Sequence, residues 1–180
     1  YWTVDLFTPR HARKILRFFG EAYGRLGNAG PSEVEQERFL DKAISLLSKV
    51  PSLYVVRPDL PAKDLREFIA LAKSKPGQLN YGSAGNGSAG HLAMEYLKAA
   101  ADLFIVHVPY RGTGPQLTDL LAGRLDAASV GAPAVLQFIK AGKLRCIATG
   151  TTQRLPQLPD VPTVAEQGYP NFEMTQWYGL

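Results

Sequence analysis

Between residues 79 and 149 short apolar runs alternate with helical patterns, and that alternation restricts the fold of this chain more than any other feature. Leu79-Asn80-Tyr81 reads as a strand. The Gly82 to Gly90 loop leads from it to Leu92, Ala93, Tyr96, Leu97 and Ala100 at helical spacing. Leu103 to Pro109 is a near-continuous apolar run, which predicts a strand buried on both faces of a parallel sheet. Gly112-Thr113-Gly114-Pro115 then opens a helix bearing Leu117, Leu120 and Leu121. Leu125 to Val130 predicts a strand, Ala134 to Ala141 a helix, and Leu144 to Thr149 a further strand containing Cys146. Each crossover is long enough for a parallel connection, so the middle of the chain is predicted to be an α/β domain with a parallel sheet.

The flanks differ in character. Leu53 to Val56 predicts a strand stopped by Arg57-Pro58-Asp59-Leu60-Pro61, and Leu65, Phe68, Ile69 and Ala72 place a helix at about 62 to 74. After the sheet, Leu155 to Pro162 is a proline-spaced connector. Val164-Ala165-Glu166 before Gly168 reads as one helical turn and a stop, and Phe172 to Tyr178 alternates as a strand. No run follows for that strand to pair with, which predicts a missing continuation. Before Leu53, one amphipathic helix is expected through Ile15 to Tyr23 and another through Val34 to Leu47, with a short strand at Thr3 to Phe7.

The stretch Tyr81-Gly82-Ser83-Ala84-Gly85-Asn86-Gly87-Ser88-Ala89-Gly90-His91 lies between a strand and a helix. Glycines there let backbone N–H groups approach a ligand, and the helix start adds unpaired donors of partial positive charge. Ser83 and Ser88 add hydroxyls. An anion site and a ligand-free turn capped by Ser88 remain equally open on this geometry. Tyr110-Arg111-Gly112-Thr113-Gly114 and Ser129-Val130-Gly131-Ala132-Pro133 are two further strand-to-helix turns. Following parallel strands, all three are expected to line one edge, where open α/β sheets bind ligands. Hydroxyls and backbone donors with few acids or bases suit holding an oxygen-rich small molecule, not acid–base chemistry.

Other chemistries find less support. Gly85 to Gly90 satisfies G-x-G-x-x-G, but the next strand ends His107-Val108-Pro109-Tyr110-Arg111 without the carboxylate that holds a ribose. Arg111 leaves a 2′-phosphate form open, so a nucleotide-binding enzyme using Gly85 to Gly90 is the alternative reading. Ser88-Ala89 stands where a P-loop requires Lys-Ser/Thr. His11, His91 and His107 have no carboxylate partner by spacing; His107 reads as a satisfied core histidine and His91 as a surface or loop-packing one. No His, Cys or carboxylate set falls at metal-ligand spacing, and a lone Cys146 excludes an internal disulfide. The net charge of +4 is too dilute to indicate nucleic acid, and 46% apolar residues suffice for a sizeable core.

Five blocks are recognisable in order. Val55-Val56-Arg57-Pro58-Asp59-Leu60-Pro61-Ala62-Lys63, Leu79 to Ser88, His107 to Gly112, Ile139-Lys140-Ala141-Gly142-Lys143-Leu144-Arg145 and Leu158 to Glu166 all resemble the Bug family, the substrate-binding proteins of tripartite tricarboxylate transporters. The likeness runs from about Ile44 to Leu180. It implies a periplasmic solute receptor of two α/β lobes that close over a small organic carboxylate and present it to membrane subunits. No enzymatic step, cofactor or metal is implied, and the receptor is expected to be a monomer. In the family two strand-to-helix loops, one from each lobe, hold one ligand carboxylate through amides, hydroxyls and waters. The loop matched here is Ser83, Ala84, Gly85, Asn86, Gly87 and Ser88, with Tyr110 and Gly131 in segments that face the cleft. Family members often carry an aspartate in the third turn, where this chain has Ser129-Val130-Gly131.

The expected fold is thus a periplasmic-binding-protein-like lobe with a parallel sheet and an incomplete second lobe. Residues 56–163 form the complete lobe, 1–55 part of the other with an unmatched segment at 13–43, and 164–180 a return into it. The family's glycine-rich first loop has no counterpart, which predicts a truncated receptor with impaired binding, or a degenerate product without function.

Overall fold

The computed structural model describes residues 48–178, with side chains from 50 to 176. The strand expected at Thr3 to Phe7, both amphipathic helices before Leu47, and nearly all of the 1–49 unit lie outside the described residues. Val50 to Gln176 form a compact unit.

Among the described residues six strands make one sheet: β1 (Ser48–Val56), β2 (Asn80–Ser83), β3 (Val106–Pro109), β4 (Ala127–Gly131), β5 (Arg145–Thr149) and β6 (Thr175–Tyr178). The spatial order is β3-β2-β4-β1-β5, and β6 pairs with β1. Four helices connect them: α1 (Leu65–Ser74), α2 (Ala89–Ala101), α3 (Thr113–Leu121) and α4 (Ala132–Lys140). The β2–β3 and β2–β4 pairs are parallel, as the crossovers predict. β1 runs antiparallel between β4 and β5 and so separates two strands that follow each other in sequence.

β1 is buried on both faces, as is β4. Tyr54 and Val56 join the layer built from Phe68, Tyr81, Met94 and Leu97, while Leu53 and Val55 join the opposite layer with Leu120, Leu125, Val130 and Val135. The run at Leu103 to Pro109, expected to be buried on both faces, instead ends in the edge strand β3. Phe104 is 66% and Val106 43% exposed, although Leu103 and Ile105 are buried. Hydropathy is blind to this difference, because a strand's place in a sheet is set by pairing. β6 likewise finds its partner upstream, in β1.

Buried polar side chains tie these elements together. The Tyr54 hydroxyl donates to the Ala93 carbonyl at 3.1 Å, joining β1 to α2. Gln167 accepts from the Leu65 N–H at 2.9 Å and donates to the Ile147 carbonyl at 2.9 Å, joining α1 to β5. The turn before it, Ala165–Gln167, is a short 3₁₀ helix that Gly168 ends. It begins with a reciprocal capping pair: Thr163 Oγ1 accepts from the Glu166 N–H at 3.1 Å and the Glu166 carboxylate accepts from the Thr163 N–H at 2.7 Å. Cys146 is buried, and burial pushes its thiol pKa up to about 12.

At the start of the parallel strands, nearly buried Asp126 accepts from Arg57 Nε at 3.0 Å and from the Asn80 N–H at 2.9 Å, while Asn80 Oδ1 accepts from the Asp126 N–H at 3.1 Å. Asp126→Ala would leave a guanidinium and an N–H short of an acceptor and is expected to cost about 2–3 kcal/mol in urea unfolding. At the other end Gly90 lets α2 dock on β4, since a Cβ there would lie 2.4 Å from the Ser129 carbonyl oxygen. Gly90→Ala must push helix from strand and is expected to cost about 1–3 kcal/mol. An unchanged unfolding midpoint in either variant contradicts the corresponding contact.

Candidate functional site

The order β3-β2-β4 sets the carboxyl ends of three parallel strands side by side, so their turns share one edge of the sheet. Backbone bonds join two of them: the Tyr110 N–H donates to the Ser83 carbonyl at 3.0 Å and the Gly112 N–H to the Ala84 carbonyl at 3.1 Å. The third turn approaches through Ser129, against which Gly90 packs.

Within the 83–88 turn the polar groups are divided between holding the loop and standing open. Ser83 is fully buried. Its hydroxyl accepts from the Gly85 N–H at 3.2 Å and lies 2.7 Å from His107 Nε2 and 3.1 Å from the Gly85 carbonyl. Gly85 and Gly87 adopt φ of +130° and +77°, a region L side chains rarely enter. The Ser88 N–H donates to the Gly85 carbonyl at 3.2 Å, and Ser88 Oγ caps α2 by accepting from the His91 N–H at 3.3 Å. The Gly87 N–H donates to His91 Nδ1 at 3.2 Å. Among the described residues the N–H groups of Asn86 and Ala89 have no protein acceptor, and Asn86 is exposed.

The remaining sequence candidates sit at the margins. Tyr110 belongs to the edge through its backbone, while its hydroxyl donates to Asp119 at 2.8 Å; burial and that carboxylate raise the phenol pKa. Asp119 in turn is held by Arg124 at 2.6 Å. Gly131 is the residue before α4, and a Cβ there would lie 3.0 Å from Val50 Cγ1 and 3.1 Å from Gln176 Oε1.

Sequence spacing missed a histidine pair. His91 and His107 stack with centroids 4.2 Å apart, and His107 stacks on Tyr81 at 4.9 Å. The Tyr81 hydroxyl donates to Glu95, which Lys98 also holds at 2.6 Å. The signal lay in register: Tyr81 pairs with His107, and His91 follows the same loop into α2. The contact of Ser83 with His107 resembles a nucleophile beside a base, but a hydroxyl with no exposure cannot meet a substrate. Two further hydroxyls, of Ser52 and Ser129, are buried without a hydrogen-bond partner among the described residues.

Among the described residues no three His, Cys or acidic side chains form a metal-binding group, and no helix is long and apolar enough to cross a membrane. A surface depression lined by Pro58, Leu121, Phe138, Gly142 and Lys143 lies at the opposite end of the sheet from the three turns.

Residues 36–180 match the model of the "Tripartite tricarboxylate transporter family receptor". A protein encoded in the tcbD-tcbE intergenic region of Pseudomonas sp. strain P51 is 39% identical over 76% of this chain and 41% of its own length. Protein BugT of Bordetella pertussis is 36% identical over 76% of this chain and 42% of its own length. The chain therefore spans about two fifths of the relatives it matches. Among solved structures, R. palustris Rpa4515 with adipate superposes with a TM-score of 0.72 at 36% identity, over 74% of this chain and 44% of that one. Periplasmic binding protein BugD gives 0.71 at 32% identity, over 74% and 44%. MatC of Rhodopseudomonas palustris with bound malate gives 0.69 at 32% identity, over 73% and 45%. The family and these neighbours are binding proteins.

Proposed function

The chain belongs to the tripartite tricarboxylate transporter receptor family, and from that premise we propose that it supplies one α/β lobe of an extracytoplasmic receptor for a small organic carboxylate. One observation carries the reading: at the start of α2 the Asn86 and Ala89 N–H groups lack acceptors among the described residues, and the three adjoining turns contain no acidic side chain. Such an edge favours an anion through unpaired donors and the helix's partial positive charge. Adipate and malate, bound in two of the similar proteins, are both small organic acids of this kind.

In this reading Ala84, Gly85, Asn86, Gly87 and Ser88 surround one carboxylate, and Ser83 shapes the loop from beneath. Tyr110 fixes the neighbouring turn to it, and Gly131 borders the far side. The lobe is built around residues 56–163, with β1 as the central strand of its sheet and β6 paired to β1. The receptor works in the periplasm as a monomer and hands its ligand to the transporter's membrane subunits. It performs no catalytic step.

Calorimetry with adipate and with malate on the 180-residue chain tests the reading. Weak binding is expected from one lobe alone, and Gly85→Ala is expected to weaken it about tenfold or more, because an alanine at φ +130° with its Cβ 3.3 Å from the Tyr110 carbonyl must remodel the loop. No heat with either acid, or equal affinity in the variant, overturns the assignment of this loop.

A further inference from the structure

The two stacked imidazoles lie directly under the 83–88 turn, and each holds a different part of it. His107 Nε2 meets the hydroxyl of Ser83 at 2.7 Å, and that same oxygen accepts the Gly85 N–H. His91 Nδ1 accepts the Gly87 N–H at 3.2 Å, and a nitrogen that accepts carries no proton. In this state one loop donor is turned inward onto an imidazole. A proton on His91 Nδ1 would end that bond, free the Gly87 N–H and place a cationic donor beneath the turn.

The groups facing the pair fix the sign. Tyr81 from β2 stacks on His107. From α2, Glu95 is tied to the Tyr81 hydroxyl and to Lys98, whose Nζ stands 5.6 Å from the centre of the Tyr81 ring. Arg111 stands exposed in the adjoining turn. Burial, the nearness of His91 and, against the pull of Glu95, the charge of Lys98 hold the His107 imidazole below its ordinary range. At 4.2 Å two imidazolium rings would repel, so the stack accommodates one proton more readily than two. An anion above the turn favours the protonated pair.

We infer that His91 is a positioning residue of the carboxylate loop, whose protonation, shared with its stacked partner His107, releases the Gly87 N–H and couples ligand binding to proton uptake. This rests on the carboxylate reading of the 83–88 turn for its consequence and on the imidazole contacts for its mechanism. Affinity for a carboxylate is then expected to rise as pH falls below the ordinary imidazole range, where the lowered His107 takes up its proton, until the ligand itself protonates.

Amide and imidazole NMR on the 180-residue chain, titrated from about pH 8 to about pH 5.5, separates the two parts. The Gly87 amide resonance is expected to move with the imidazole resonances in the wild type. In His91→Gln, whose side-chain oxygen accepts but does not titrate, it is expected to stay fixed. Adipate is then added at both ends of the range, with about tenfold tighter binding expected at the acid end, equivalent to one decade in proton affinity. A Gly87 amide that stays fixed in the wild type, or still titrates in His91→Gln, overturns the inference even if adipate binds. An amide that titrates as expected while adipate perturbs nothing at either pH supports the switch and overturns the carboxylate reading. Binding of equal strength at both ends overturns the proton coupling.

Discussion

Leu53 and Val55 enter one apolar layer while Tyr54 and Val56 enter the other, so β1 is stable only in the interior of the sheet, with helices over both faces. Its place between β4 and β5 has two effects. It leaves β3, β2 and β4 as a contiguous parallel group whose carboxyl ends share one edge, and it puts β3 at the margin. The Tyr54 hydroxyl carries the influence of β1 into α2 through Ala93, five residues beyond Ser88, which caps the helix. The geometry of the loop is thereby tied to the central strand.

The glycines of the 83–88 region serve different ends. Gly85 and Gly87 supply backbone angles that close the turn, whereas Gly90 supplies a missing side chain where α2 meets the Ser129 carbonyl. Close docking brings the helix start over β4 and sets His91 above His107. Ser83 is then a structural hydroxyl: its contacts with Gly85 and His107 shape the turn, and the outward donors are backbone N–H groups further along. The polarity of this turn is thus fixed by the backbone, with two stacked imidazoles packed beneath it.

Much of this was legible in the residues. The strand-loop-helix at 79 to 100, the capping Ser88, the stop at Gly168 and the burial of Cys146 follow from spacing and local chemistry, and the structure has them. The edge position of β3 was not, because Leu103 to Pro109 is as apolar as an interior strand; its exposed Phe104 and Val106 mark it only once pairing is known. The reciprocal cap of Thr163 and Glu166 was available as T-x-x-E.

Local periodicity, turn chemistry and ordered motifs are enough to give the parallel α/β character, the glycine-rich turn before α2 and the family. The antiparallel course of β1 through the middle, the packing role of Gly90 and the meeting of His91 and His107 under the loop emerge only in the folded chain. Each of these depends on residues far apart in the chain brought into contact by strand pairing and helix docking, which spacing along one strand or helix does not encode.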